Sequence, residues 1–118
     1  MNIREDKIDS FALLEVSGRV DAENAETLKD YLVELGKREQ QVLIDCSALE
    51  YISSSGLGAL LMLLKLIQKK GGKLRLFGLS PRIAEVFGIS GFDKFFPIFS
   101  SLDTARRADT KGDGPYSF

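Results

Sequence analysis

Three consecutive segments constrain the fold more than anything else in the chain. "QVLIDC", Gln41 to Cys46, is a short β-branched run suited to a strand covered on both sides. A long apolar stretch, Leu57 to Ile67, follows and is closed by Gly71-Gly72. "KLRLFGL", Lys73 to Leu79, then returns to a strand pattern. Strand, helix and strand at this spacing form a βαβ unit with a right-handed crossover, which puts parallel strands at the centre of the molecule.

The flanking segments extend this unit. "NIREDKI" and "FALLEVSG" read as two strands of an antiparallel hairpin turning at Asp9-Ser10. Ala22 to Gly36 reads as a helix. Its apolar positions Ala25, Leu28, Leu32 and Leu35 share one face, with Tyr31 beside them. Asp21 stands at the N-cap position and Gly36 near the C-cap. "SPRIAEVFGISG" predicts a short helix capped by Ser80 with Pro81 at its first position. "FFPIF" suits an edge strand, since Pro97 has no N–H to donate, and Leu102 to Ala108 suits a final helix. The expected architecture is α/β: one domain over residues 1–108, with a mixed sheet of about five strands and helices packed on it. Residues 109–118, "DTKGDGPYSF" with the preceding context, are expected to be a flexible tail.

The stock of reactive groups is thin. Histidine is absent and cysteine occurs once, so a disulfide framework and a cysteine/histidine zinc site are excluded within one chain. Cys46 ends a buried-strand pattern and is expected to be a small core hydrophobe. A formal net charge of -1 argues against general nucleic-acid binding. The Leu57–Ile67 stretch, broken by Lys65, is shorter than the roughly 20 apolar residues a bilayer span requires. A soluble, cytoplasmic protein without membrane insertion is therefore expected. No phosphate-binding loop, nucleophile elbow or dinucleotide fingerprint is present, and neither a cofactor nor a metal is expected.

What remains is a run of three serines, Ser53 to Ser55, entering Gly56 and the apolar helix. A serine there can cap the helix, and capping needs only one. The free N–H groups and the dipole of a helix start also suit a phosphate, and Gly56 and Gly58 leave the backbone approachable. At about 100° per residue, Leu57, Leu60, Leu61, Leu64 and Ile67 form the stripe that faces the sheet, with Leu63 at its border. The opposite side holds Gly58, Ala59, Met62 and Leu66. These apolar residues either touch a neighbouring element of the chain or form a docking patch for a partner.

"LIDCSALEYISSSGLGALL" together with "GRVDAENAETL" resembles the STAS domain family, in particular the bacterial anti-sigma factor antagonists. The likeness runs over roughly Ile3 to Ala108, with its most specific part between Ser53 and Leu61. In that family the loop usually reads Asp-Ser-Ser/Thr-Gly-Leu-Gly, and the serine after the aspartate is phosphorylated. The matching position is Ser54, followed by Ser55 and Gly56; Ser53 stands where the family commonly has aspartate. "GRVD" matches a family loop whose aspartate, here Asp21, lies at the partner-facing end.

The resemblance implies an interaction protein and not an enzyme. Its partners would be an anti-sigma factor that is a serine kinase, and a metal-dependent serine phosphatase. The unphosphorylated form would bind the anti-sigma factor and free the sigma factor. Phosphorylation of Ser54, or alternatively of Ser53 or Ser55, would switch binding off. Asp21, Ser53, Ser54, Ser55, Gly56, Gly58, Met62 and Leu66 are the expected partner-binding positions. The alternative is a non-phosphorylated STAS adaptor or small-ligand-binding subunit of a lipid-transport or other complex.

Overall fold

The long second strand organises the sheet. In the computed structural model, which describes residues 1–108, β1 (Asn2–Ile8) turns through Asp9 and Ser10 into β2 (Phe11–Val20). Asp9 takes φ 54°, a left-handed conformation that aspartate tolerates in a two-residue hairpin turn. The chain continues through α1 (Ala25–Arg38), β3 (Gln41–Asp45), β4 (Leu49–Ile52), α2 (Ser54–Lys69), β5 (Lys73–Phe77), α3 (Pro81–Ser90), a 3₁₀ turn (Phe92–Lys94), β6 (Ile98–Phe99) and α4 (Leu102–Arg107). The strand order is β1-β2-β3-β5-β6, antiparallel only between β1 and β2. β2 outruns β3, so its last residues pair in parallel with β4, after a register shift between Gly18 and Arg19.

This mixed sheet of six strands with four helices is the expected α/β architecture with one strand added. Strand β4, "LEYI", was not anticipated. It is four residues long, and Glu50 and Tyr51 at its centre are exposed, so it carries little apolar pattern.

Side-chain alternation along the strands separates two cores. Ala12, Leu14 and Val16 of β2, Val42 and Ile44 of β3, and Leu74 and Leu76 of β5 meet the buried leucines of α1 and α2 on one face. Phe87 of α3 and Phe96 close that core edge to face, with ring centroids 5.8 Å apart. On the other face Phe11, Leu43 and Phe77 pack under Ala105 of α4. Both sides of β3 and β5 are therefore covered, which is why those strands read as continuous apolar runs.

Arg75 breaks that run, yet its side chain is buried on the α4 face. Its guanidinium donates to the carbonyls of Ala105 at 2.7 Å and Ala108 at 3.1 Å, satisfying otherwise open acceptors at the end of α4. It also lies 5.3 Å from the ring centroid of Phe11.

Helix α1 differs from the expected span in an informative way. It begins at Ala25 and runs through Gly36 to Arg38. Gly36 is thus inside the helix and is not its terminus. A Cβ there would lie 3.1 Å from a methyl carbon of both Leu63 and Leu66, so glycine permits close approach of α1 and α2. The ammonium of Lys70, just past α2, supplies the missing cap by donating to the carbonyls of Gly36 at 2.6 Å and Glu39 at 2.7 Å.

The crossing also corrects the expected stripe of α2. Leu57, Leu60, Leu63, Leu64 and Ile67 are buried, and Leu61 is only half-buried. Two packed surfaces, the sheet and α1, widen the covered arc and carry it to Leu63 and Ala59. The expected tail at 109–118 lies outside the described residues.

Candidate functional site

The serine run sits at the C-terminal ends of β2 and β4, where their paired residues Val20 and Ile52 bring two loops side by side. The N–H of Ser53 donates to the carbonyl of Val20 at 2.8 Å, tying the start of α2 to the loop that carries Asp21. Crevices at the carboxyl ends of parallel strands are the usual ligand-facing edge of such sheets.

Each serine has a different environment. Ser53 is the N-cap, in extended backbone, and its Oγ accepts from the Gly56 N–H at 3.2 Å. The Oγ atoms of Ser53 and Ser55 lie 3.2 Å apart. Ser54, the first helical residue, is exposed, and among the described residues its hydroxyl makes no hydrogen bond. The first turn of α2 itself contains no acidic residue to offset the positive end of its dipole.

The two glycines that follow differ as well. Gly56 is buried, and a Cβ there would sit 2.7 Å from Val20 Cγ1 and 2.8 Å from Ile52 Cγ1. Its smallness serves the seating of the helix on the strand ends. It does not clear an approach from outside, as the sequence pattern had suggested. Gly58 is exposed, with nothing within 4 Å of the position its Cβ would take.

Asp21 is not the N-cap of α1; Asn24 occupies that position. Asp21 instead builds the turn before it. Its Oδ1 accepts from the N–H groups of Glu23 and Asn24, both at 3.0 Å, and Asn24 Oδ1 accepts from the Asp21 N–H at 2.9 Å. Between the first turns of α1 and α2 lies an open groove of about 530 Å³, bordered by Lys29 on one side and by Ser55, Gly58 and Met62 on the other. Met62 is half-buried in that groove. Leu66 lies about three turns from the serines along the helix and packs toward Gly36 of α1. Of the two readings of this face, contact within the chain describes Leu66, while Met62 opens to the groove.

Sequence reasoning missed the pair Arg19 and Tyr51, which stands one residue before Val20 and Ile52 on the same two strands. The Arg19 guanidinium stacks 4.4 Å from the Tyr51 ring centroid, and Tyr51 remains exposed. Their pairing depends on the β2–β4 register, which no local pattern reports. Cys46 is fully buried, and burial with the neighbouring Asp45 charge pushes its thiol up to about 12. It has no nucleophilic character at neutral pH. No helix among the described residues is long and apolar enough to cross a membrane.

Comparison with known proteins identifies the family to which this fold belongs. The STAS domain model matches residues 2–105. BtrV of Bordetella bronchiseptica is 38% identical over 109 residues, covering 92% of this chain and 94% of that protein. The anti-sigma-B factor antagonist of Bacillus subtilis is 31% identical over 83 residues, covering 70% of this chain and 76% of the relative. The crystal structure of an anti-sigma factor antagonist from Mycobacterium paratuberculosis superposes with a TM-score of 0.81 at 26% identity, covering 91% of this chain and 92% of that one. The chain belongs to the STAS domain family, among the anti-sigma factor antagonists.

Proposed function

We propose that this protein works by partner switching in the cytoplasm. Its unphosphorylated form binds an anti-sigma factor that is also a serine kinase, and so frees a sigma factor. The kinase transfers the γ-phosphoryl group of ATP to Ser54 Oγ, with loss of the hydroxyl proton, and the modified protein lets go. A metal-dependent serine phosphatase hydrolyses the ester and resets the switch. The chain is substrate in both reactions and catalyst in neither.

The observation that carries this reading is the inequality among the three serines. Ser53 Oγ is committed to the Gly56 N–H and shares a bond with Ser55, while the Ser54 hydroxyl is exposed and uncommitted. A phosphate on Ser53 would first have to displace the bonds its Oγ makes with Ser55 and the Gly56 N–H; one on Ser54 displaces none. It would add about 1.5 to 2 negative charges at the surface proposed to dock. A loss of about 3 kcal/mol on docking corresponds to roughly a hundredfold in affinity, enough for a switch. Asp21, Ser54 and Ser55 are the polar positions of the proposed contact surface, and the same free hydroxyl disfavours a non-phosphorylated adaptor.

Intact-mass measurement of wild type and Ser54→Ala after incubation with the cognate kinase and ATP tests the proposal. One phosphate on wild type and none on the variant is expected. Phosphate retained by the variant would move the acceptor to Ser53 or Ser55, and no phosphate on wild type would reject the switch.

A further inference from the structure

The segment "FDKF", Phe92 to Phe95, takes no part in the serine site, yet its order carries information. It reads aromatic, acid, base, aromatic. Laid antiparallel on itself, it sets each carboxylate against an ammonium and each ring against a ring. Gly91, at φ 79°, ends α3 in the left-handed conformation, and Phe92–Lys94 then form the 3₁₀ turn. Asp93, Lys94 and Phe95 are exposed there, and Phe92 is half-buried. The turn is braced on the core. The Phe92 ring lies 6.2 Å from that of Phe95, edge to face, and 6.4 Å from that of the buried Phe96.

Two further observations mark this corner of the molecule. Among the described residues three large apolar or aromatic side chains are exposed, and two of them flank the Gly91 turn: Ile89 at 81% and Phe95 at 43%. The third, Tyr51, lies under the Arg19 guanidinium. Among the described residues, moreover, neither Asp93 nor Lys94 forms an ion pair. Apolar surface and unpaired charges of both signs thus stand on one turn.

We propose that this turn is the contact face of a homodimer. A second copy of the chain sits on it across a twofold axis that passes between Asp93 and Lys94. Asp93 of each copy meets Lys94 of the other, and Phe92 of each packs on Phe95 of the other. Such reciprocity is what an isologous contact requires, since the patch must be its own complement. The balance of charge assigns the occupant. An acidic or a basic partner would leave one of the two charges facing its like, whereas a second copy satisfies both. The apolar part amounts to a few side chains, so the contact belongs to the weak, concentration-dependent class. Helix α3 runs back along the sheet from the end of β5, which carries the turn away from the strand ends where the serines sit. Both serine runs therefore stay open, and one dimer presents two of them. The inference is independent of which serine, if any, takes phosphate.

Sedimentation equilibrium of the full chain tests it, on wild type, Asp93→Lys, Lys94→Asp and the double exchange Asp93→Lys/Lys94→Asp, with each melting temperature measured alongside. Wild type is expected to be dimeric at ~100 µM and to dissociate on dilution to ~1 µM. Each single reversal should melt as wild type does and self-associate at least about tenfold more weakly, because like charges then face each other. An equimolar mixture of the two single variants should associate as a heterodimer with wild-type affinity. The double exchange should regain the homodimer. A wild type that stays monomeric at ~100 µM overturns the inference. A dimer that both single reversals form equally well overturns it too, by placing the contact on another face. Failure of the folded single variants to associate on mixing has the same force. If a single variant melts early, the double exchange decides: a dimer supports the proposed contact and a monomer overturns it.

Discussion

The hydroxyl oxygens of Ser53 and Ser55 lie 3.2 Å apart, and the serine between them in sequence stands outside that pair. Ser53 is thereby a structural residue and Ser54 a surface one, although the three are identical in chemistry. The difference is measurable. Ser53→Ala should lower stability by about 0.5–2 kcal/mol, the usual cost of losing an N-cap. Ser54→Ala should change it by less than about 0.5 kcal/mol, as for most surface substitutions. Equal losses in chemical denaturation would contradict the assignment of the cap.

Ser54→Asp tests whether charge, and not unfolding, would switch the partner off. An anion at a helix start is mildly stabilising, by about 0.3–1 kcal/mol. The melting temperature should hold or rise slightly while affinity for the anti-sigma factor falls. A variant that loses affinity only because it melts early would mean that the site acts through the fold.

The packing of α2 predicts an asymmetry. Leu60 and Leu64 are 3% and 4% exposed, and truncating either to alanine should cost about 2–5 kcal/mol. Met62 is half-buried at the groove, so Met62→Ala should cost clearly less than either leucine while weakening partner binding. A Met62→Ala loss as large as that of Leu64→Ala, read from urea midpoints, would place Met62 in the core instead.

A charge network ties β1 to α1 and gives stability a pH dependence. Arg38 donates to both carboxylate oxygens of Glu5, at 2.6 and 2.8 Å, and the Tyr31 hydroxyl donates to the same carboxylate. The Arg38 hydrogen bonds hold the Glu5 carboxyl at about 2, against an ordinary 4.5, despite an opposing contribution from burial. The folded value lies below the unfolded one, so the stabilisation is fully present above about pH 4.5 and is lost as pH falls through 2. Because the pair is partly exposed, Arg38→Ala should cost only about 0.2–1 kcal/mol at neutral pH. The variant should also show a shallower fall in stability between pH 4.5 and 2 than wild type. An unchanged slope would mean that Glu5 does not feel Arg38 in solution.

The sequence carried the architecture because its signals are local. The β-branched runs of β3 and β5, the face of α1 and the capping serines before α2 and α3 all act within a few residues of themselves. What escaped it depends on contacts between distant segments. Gly36 has the look of a helix end, and only the crossing of α1 over Leu63 and Leu66 makes it a helix interior. Gly56 and Gly58 are two residues apart in one motif, yet one faces Val20 and Ile52 and the other faces open space. Sequence could name the serine run as the site; deciding which hydroxyl is free required the bond between Ser53 and Ser55. Arg75 gave no sign of burial, since its acceptors lie about thirty residues further along the chain.

That buried guanidinium limits how the protein can be trimmed. Helix α4 is short and mostly exposed, and a designer of fusions or minimal versions would be tempted to cut before it. Ending the chain ahead of Ala105 would remove two carbonyl acceptors from Arg75 and uncover Phe11 and Phe77 together. Uncovering an apolar side chain that the fold buries costs about 1.5–3 kcal/mol for each one fully exposed, and two together are a large share of what a domain this size possesses. The last helix is therefore a cork rather than an ornament, and any engineered boundary belongs beyond Ala108.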